Sequence, residues 1–421
     1  RWLARSQERS RWVGFTRQRQ WFSLEEAGRI DGLLGVESGK GIDFKPYVAS
    51  KWSAEGSTDD YEFDTGFDLF YRVTPSLTAT FTYNTDFAQV EADEQQINLT
   101  RFSLFFPEKR EFFLENQGNF SFGVSSGPAS ASMSTGDTPT LFYSRRIGLS
   151  QGQVVPLQAG GRLTGRVGRY SVGLLNIQSG NDSVVNTPKT NFSVLRIKRD
   201  ILRRSAIGFI ATRRSINEAQ SGTNSVFGAD ATFTFLELLN INGYWSRTWT
   251  DGLSGDDTSY RGQLDYNGDR YGIQAEHMFI GNNFNPEIGF IRRRDIRKSY
   301  AKFRFSPRPK NNRTLRKYSW ITSIDYIEDG RGTLDTRTTE SEFSLEFQNG
   351  DRLYASGRND YEFLQVPFQI GPNVSVPAGA YNYSGLKAGF ALGQVRKFNG
   401  DASVAYGTFY GGYRTVVSFS Q

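Results

Sequence analysis

Residue types that commonly carry catalysis are scarce in this chain of 421 residues. It contains a single histidine, His277, and no cysteine, so the sequence offers neither a His/Cys zinc site nor a thiolate nucleophile. The carboxylates Glu340, Glu342 and Glu346 could act as an acid–base pair, but they recur at strand spacing, which is typical of one wall of a sheet. No phosphate-binding loop, dinucleotide fingerprint or nucleophile elbow occurs. We therefore predict no enzymatic activity, no metal and no cofactor.

The charges of the chain are numerous, mixed in sign and spread along its whole length. Fifty basic and 44 acidic residues give a net charge of +6. A nucleic-acid-binding protein would more often concentrate its positive charge on one face, so no nucleic-acid partner is expected. The basic run 292–298 is typical of a solvated turn or rim, with a contact to lipid headgroups or to a partner as the alternative.

Strands must position these residues, because alternation of side chains is the main pattern from residue 42 onward. In 227–235 apolar residues alternate with Gly, Asp and Thr, and in 343–347 they alternate with Ser and Glu. Such segments are roughly 9–13 residues long, enough to cross a hydrocarbon core at a tilt. Trp and Tyr lie near their ends, as in an interfacial girdle. His277 shares the apolar parity and is therefore expected at the membrane interface.

Short turns alternate with longer polar loops, which is the asymmetry of an outer-membrane barrel. Asn267-Gly268-Asp269 and Asn349-Gly350-Asp351 are hairpin turns, whereas 124–138 and 215–224 are long and polar. We count about 18–20 spans. The sequence thus predicts an all-β fold with two parts: a basic and aromatic linker or lead-in over 1–35, and one large antiparallel transmembrane β-barrel over 36–421.

One stretch departs from the alternation, with an acidic part at 91–94 followed by two aromatic runs, 102–106 and 112–114. The charged residues between the runs could form a tight hairpin, or one short helix that has Pro107 in its first turn and stops at Gly118. We predict that 88–118 folds inward or caps the barrel, the alternative being a segment whose aromatic residues simply pack. The residues expected to form this plug or gate are Phe105, Phe106, Glu108, Lys109, Arg110, Glu111 and Phe112.

Other charged residues share the parity expected to face the lumen, namely Arg162, Arg166, Arg261, Glu346 and Arg358. We expect the arginines of this set to pair with acids of the inward segment. Each such pair would contribute about 0–1 kcal/mol if it is wet. Aromatic packing, at roughly 1.5–3 kcal/mol per buried Phe, should then hold the segment more strongly than the ion pairs do.

Three motifs carry a family resemblance: NTDFAQVEADEQQINLTRFSLFFPEKREFFLE (84–115), FNPEIGFIRRRDIRKSY (284–300) and FRFSPRP (303–309). They resemble a largely uncharacterised bacterial family in which an outer-membrane β-barrel follows a sandwich domain similar to family-nine carbohydrate-binding modules. The resemblance implies no established reaction. That sandwich domain is absent here, and the end TVVSFSQ lacks the usual terminal aromatic residue, so a barrel that is incomplete at its C-terminus is one expectation.

Together these patterns predict a barrel in the outer membrane of a Gram-negative bacterium. Its expected function is a channel, or a barrel that binds or translocates a substrate, with saccharides as the candidate class. The alternative is a structural or scaffolding barrel within a larger assembly of the cell envelope. The expected partners are outer-membrane lipid and lipopolysaccharide, a saccharide substrate and other envelope proteins.

Overall fold

Eighteen strands form one antiparallel sheet that closes into a barrel, with the last strand beside the first. The computed structural model describes residues 2–3, 8–9, 31–32, 41–55, 58–84, 101–123, 136–150, 153–182, 186–236, 238–371, 374–393, 396 and 399–420. The strands are β1 (Ile42–Glu55), β2 (Thr58–Thr74), β3 (Leu77–Tyr83), β4 (Leu157–Val167), β5 (Tyr170–Ser179), β6 (Asn191–Ile201), β7 (Ser205–Arg214), β8 (Asn224–Phe235), β9 (Leu239–Thr250), β10 (Thr258–Asn267), β11 (Tyr271–Ile280), β12 (Ile296–Phe305), β13 (Leu315–Asp329), β14 (Leu334–Phe347), β15 (Arg352–Leu364), β16 (Gly379–Leu392), β17 (Gly400–Phe409) and β18 (Gly412–Ser420).

The outside of the barrel is apolar. Large side chains that stay exposed on the isolated chain include Trp245, Leu264, Ile273, Phe343 and Leu353. A water-soluble protein rarely leaves so many large apolar side chains uncovered, whereas lipid-facing strands require them. The prediction of a large transmembrane β-barrel is confirmed. The sheet closes on itself, so the expectation of a barrel that is incomplete at its C-terminus is not met.

The two ends of the barrel differ in their connections. One end carries short turns, among them 75–76, 202–204 and 268–270. The other end carries the long connections, of which 84–156 and 281–295 are the largest. In outer-membrane barrels the short turns face the periplasm and the long loops face outward. The barrel is an outer-membrane protein, and its long loops mark the outward end.

The inside of the barrel is filled on one side only. There the inward residues of β5–β8 and β11–β13 pack against the inward-folded loops in one apolar core, whose members include Leu175, Ile177, Ile210, Met278 and Ile327. On the opposite side, all nine residues of β18 are exposed, on the inward as well as the outward face. The lumen is therefore divided into a packed half and an open half.

Among the described residues, three short pairs of strands lie outside the barrel sheet: Trp2–Leu3 with Glu8–Arg9, Leu149–Ser150 with Gln153–Val154, and Phe368–Gly371 with Val374–Val376. Most of the predicted lead-in 1–35, and the acidic part 91–94 of the inward segment, lie outside the described residues. Within the described part of the chain, no helix is long and apolar enough to span a membrane.

Candidate functional site in the lumen

The segment 101–123 enters the barrel and contacts the inner wall on several strands. Near its middle, Glu111 accepts a hydrogen bond from Lys45 of β1 at 2.5 Å. One helical turn later, Glu115 accepts one from Arg162 of β4 at 3.0 Å. Lys45 and Arg162 both lie on the inward face of the wall, since the exposed apolar side chains of β1 have the opposite parity and Arg162 is opposite buried Thr80, so a segment that contacts both is inside the barrel. The fold prediction of an inward segment near 88–118 is thus confirmed for its described part.

The end of this segment is held by the far wall through the backbone of Gly123. Its amide donates to Asp230 of β8 at 3.1 Å, and its carbonyl accepts from Arg261 of β10 at 3.0 Å. Gly123 has a φ of +67°, and a Cβ there would lie 2.7 Å from the ring of Tyr244. Only glycine meets both demands without strain, so glycine is required at this contact with the wall.

A buried ion pair organises the turn before the helix. The Arg110 guanidinium contacts the Glu108 carboxylate at 2.8 Å, and both side chains are at most 1% exposed. Glu108 also accepts from the Ser144 hydroxyl at 2.5 Å, and Arg110 donates to the carbonyls of Ser144 and Ile147, each at 2.8 Å. Burial alone would raise the pKa of the Glu108 carboxyl, but the hydrogen bonds and charge of Arg110, with Ser144, hold it below its usual range.

For Glu108 this arrangement corrects the expectation of a wet ion pair with an arginine of the wall, whereas Glu111 and Glu115 do pair with the wall. The principal partner of Glu108 is Arg110, two residues along the same turn, and neither reaches water. Removing one member of such a buried pair typically costs about 3–5 kcal/mol, which is far more than an exposed pair contributes. Breaking this pair should therefore disturb the turn as much as truncating a buried Phe, although the pair itself can contribute little net stability.

The segment forms a short helix, although with different limits from those expected. The helix α1 spans only Glu111–Leu114, and a 3₁₀ turn follows at Gln117–Phe120. Pro107 precedes the helix instead of lying in its first turn, because the Glu108–Arg110 pair needs an extended backbone at this point. Gly118 lies within the 3₁₀ turn and does not end the helix, which already ends at Leu114. On α1, Phe112 and Phe113 are buried and meet edge to face, with centroids 5.0 Å apart.

Two stretches far apart in the sequence meet inside the barrel. Thr140 pairs with Phe290 as an isolated bridge, and the amide of Tyr143 donates to the carbonyl of Ile288 at 2.8 Å. The Phe105 ring packs against the rings of Tyr143 and Phe290, with centroid distances of 4.7 Å and 5.3 Å. The described residues 101–123 and 136–148, together with the loop 281–295, thus form one body, called here the inner plug. It contains much of both long sequence motifs.

The wall is shaped to receive the inner plug. At Gly228 of β8, an added Cβ would lie 2.6 Å from the ring of Phe122 and 2.9 Å from Leu141. The absence of a side chain at this inward position lets both plug residues approach the sheet closely. The alternation of 227–235 was evident in the sequence, whereas the need for glycine at this position becomes clear only from the packing.

The remaining plug residues named from the sequence lie in the same body. Phe106 offers its carbonyl to the Tyr143 hydroxyl at 2.5 Å, and its ring lies 5.8 Å from the Arg145 guanidinium. Lys109 is half-buried, and its amide donates to the Glu108 carboxylate at 3.0 Å. The structure therefore brings together all seven residues of the set, from Phe105 to Phe112.

The predicted lumen-lining residues are dispersed, and their partners differ from those expected. Of the four arginines, Arg162 pairs with an acid of the inner plug and Arg261 contacts the plug through a carbonyl. Three of the four pair with acids of the wall: Arg166 with Asp200, Arg261 with Glu276 and Arg358 with Asp360. Glu346 pairs with Arg316, at 3.0 Å, at one end of β14. Strand register explains these choices, because the wall acids lie two residues along the same strand, on the neighbouring strand or, for Asp200, one strand further along the wall.

The open half of the lumen contains a cavity of about 890 Å³ between the inner plug and β12–β18. Its lining combines charge of both signs with tyrosine. The charged lining residues are Arg101, Arg292, Arg293, Lys298, Arg358, Lys387, Arg414, Asp137, Asp325, Glu340, Asp360 and Glu362. Cations are thus in the majority. Among the residues that the structure describes, no group of three His, Asp or Glu side chains is arranged to hold a metal ion.

An ionic network joins the inner plug to the wall of this cavity. Arg101 pairs with Asp335 at 2.9 Å and with Glu362 at 3.3 Å. Arg293 lies against Asp335 at 3.4 Å, and its guanidinium covers the Phe102 ring at 3.9 Å. Burial lowers the pKa of the Arg293 guanidinium, although nearby Asp137 and Asp335 oppose this shift. Sequence reasoning missed this network, since its members come from four separate regions with no common spacing.

Comparison with protein families gives one match. The model of a domain of unknown function, DUF5916, matches residues 41–162, which include β1–β3, the described part of 101–150 and most of β4. The match therefore covers the part of the chain in which the wall gives way to the inner plug. No curated protein sequence matches the chain.

Several solved outer-membrane barrels are weakly similar to this chain in structure. OpdL of Pseudomonas aeruginosa has a TM-score of 0.33 and 8% identity, with 89% of this chain and 97% of OpdL covered. OpdK of the same species, determined with vanillate, has a TM-score of 0.33 and 9% identity, covering 90% and 93%. Outer-membrane-expressed OmpT of Vibrio cholerae has a TM-score of 0.23 and 12% identity, covering 83% and 97%. At these scores the likeness carries no argument about function.

Proposed function

We propose that this outer-membrane barrel is a channel for small polar solutes, with the inner plug narrowing its lumen. The observation that carries the proposal is the division of the lumen. One half is packed with buried apolar side chains, and the other holds a polar cavity of about 890 Å³. A cavity of this size accommodates a small solute, and its charged lining keeps it hydrated.

Saccharides are the solute class that we propose first. On the wall of the cavity, the hydroxyls of Tyr383 and Tyr410 both donate to Glu362, at 2.8 and 3.1 Å. Aromatic faces beside hydrogen-bonding groups suit polyhydroxylated solutes, which present both apolar and polar sides. The proposal assigns no catalytic step to any of these residues.

A structural role within an envelope assembly is the second candidate function. It is favoured by the buried Glu108–Arg110 pair and by the aromatic packing of the inner plug, which make the packed half rigid. Under this proposal the barrel binds other envelope proteins through its outward loops. Under both proposals, outer-membrane lipid and lipopolysaccharide contact the apolar exterior.

Single-channel recording in planar bilayers separates the two functions. If the proposal is right, the purified full chain gives discrete, long-lived conductance steps, and a saccharide added in excess reduces the current. A barrel that inserts but conducts no more than the bare bilayer would contradict the channel and support the structural role. Insertion is verified independently by heat-modifiable migration on gels, so that an absent current is not confused with an absent protein.

A further inference from the structure

The open wall of the cavity carries two cations that no carboxylate of the described residues reaches at ion-pair distance. They are Lys387 of β16 and Arg414 of β18, and both line the cavity. The Lys387 ammonium lies 5.5 Å from the centroid of the Tyr354 ring, and the Arg414 guanidinium lies 4.6 Å from that of Phe409. Ring faces attract the cations without neutralising them, so both charges remain available to a solute.

Strand register places these two cations around a nearly bare patch of wall. Lys387 is opposite Ala405, and Gly385 is opposite Gly407, which in turn is opposite Arg414. The cations are thus two strands apart, about 10 Å, and offset by two residues, about 7 Å. Between them the inward side chains of Gly385, Ala405 and Gly407 are at most a methyl group. A solute can therefore lie against the backbone with a cation at each end.

The acids of the same cavity lie elsewhere or are already paired. Asp360 is bound by Arg358 at 2.7 Å, and Glu340 lies directly opposite Arg358 in the register. Glu340 is therefore on β14, two strands from Lys387 and on the far side of Arg358. On β16–β18 the one carboxylate is Asp401, which accepts a hydrogen bond from the Tyr354 hydroxyl at 3.0 Å and lies four residues from Ala405, so the inward charge changes from mixed at β14–β15 to a net positive charge at β16–β18.

We propose that Lys387 and Arg414 form an anion-binding subsite that selects small solutes carrying a carboxylate or a phosphate group. The subsite rests on the proposed channel function and narrows its substrate class, so that acidic saccharides are preferred to neutral ones. Cationic side chains on the wall of a water-filled pore raise the local concentration of anions and the rate at which they enter. The small residues between the cations leave the space that a sugar ring requires.

The test compares the wild-type barrel with K387Q/R414Q in planar bilayers under a KCl gradient. The reversal potential should show a preference for chloride over potassium in the wild type, and the variant should lower that permeability ratio at least about threefold. Glucuronate and glucose 6-phosphate should block the wild-type current at lower concentrations than glucose does, and the variant should lose this difference. The matched control R270Q/R297Q removes two cations that lie against outward aromatic rings and should leave both readouts unchanged.

Failure of the subsite is distinguishable from failure of the channel. A conducting barrel that prefers cations, or whose selectivity and block are the same in K387Q/R414Q, overturns the subsite and leaves the channel standing. If the barrel does not conduct, the subsite is tested by calorimetric titration of the detergent-solubilised protein with glucuronate. Glucuronate should then bind at least about tenfold more weakly to the variant than to the wild type. Equal binding by both, or no binding by the wild type, overturns the subsite.

Discussion

Replacing Arg110 with methionine should release the inner plug and raise the conductance of the barrel. The change leaves the Glu108 carboxylate buried at 0% exposure without its ionic partner, and two backbone carbonyls lose their donor. Loss of one member of a buried pair costs about 3–5 kcal/mol. That energy corresponds to at least about a hundredfold rise in the population with a displaced plug. Single-channel recordings should show frequent transitions to a larger conductance level.

Two control variants identify the cause. R166M breaks the pair with Asp200, whose members are 56% and 42% exposed, and should change the current little because exposed pairs contribute about 0–1 kcal/mol. E108L/R110M removes both buried charges and should recover part of the loss, since an apolar pair leaves no charge unpaired. A conductance in R110M that matches the wild type would show that the buried pair does not hold the plug.

Truncating Phe112 to alanine should loosen the inner plug to a similar extent. Its ring is 1% exposed, packs against Phe113, and lies 5.2 Å from the Arg162 guanidinium that anchors Glu115. Phe-to-Ala changes in a core cost about 3–5 kcal/mol. F105A should have a smaller effect, because Phe105 is only half-buried. The measurement is tryptic cleavage after Lys109 in the detergent-solubilised barrel, which should accelerate in both variants.

The matched control for F112A lies on the same helix. Leu114 is 38% exposed, so L114A removes a large side chain from α1 without emptying the core, and cleavage after Lys109 should stay close to the wild-type rate. The sequence analysis expects aromatic packing to hold the segment more strongly than ion pairs do, which predicts a smaller effect for E108Q than for F112A. Because Glu108 is buried, we now expect E108Q to accelerate cleavage as well. An E108Q barrel as resistant to trypsin as the wild type would support the dominance of aromatic packing.

The wall of the barrel could be predicted well because its physics is periodic. Side chains of a strand alternate between lipid and lumen, so the apolar parity of 227–235 and the outward position of His277 follow from counting by two. Exposed His277 does lie on the outward face of β11, where its ring nitrogen Nδ1 contacts the Ser299 hydroxyl at 3.1 Å. The turn at Asn267-Gly268-Asp269 follows as directly, since these residues favour the backbone of a tight hairpin.

The inner plug was less accessible to sequence reasoning because it has no period. Its density of aromatic and charged residues indicated an unusual segment, yet partners could not be assigned. Arg110 meets Glu108 because the chain is extended between them, and Phe105 meets Phe290 across a separation of 185 residues that no local pattern encodes. The cations Lys387 and Arg414 were overlooked for a related reason. What distinguishes them is that no carboxylate of the described residues lies at ion-pair distance, and this becomes visible only when the register of three strands is known.

Passage of solute through the open half of the lumen can be tested most directly with single introduced cysteines. The chain has no cysteine of its own, so each introduced thiol is unique. In A405C, on the open wall, a bulky water-soluble thiol reagent should reduce the single-channel current by more than half. It should change nothing in V404C, which faces lipid, or in L175C, buried in the packed half at 0% exposure. If the A405C current is insensitive to the reagent, or if the reagent blocks L175C instead, solute does not pass through the open half of the lumen.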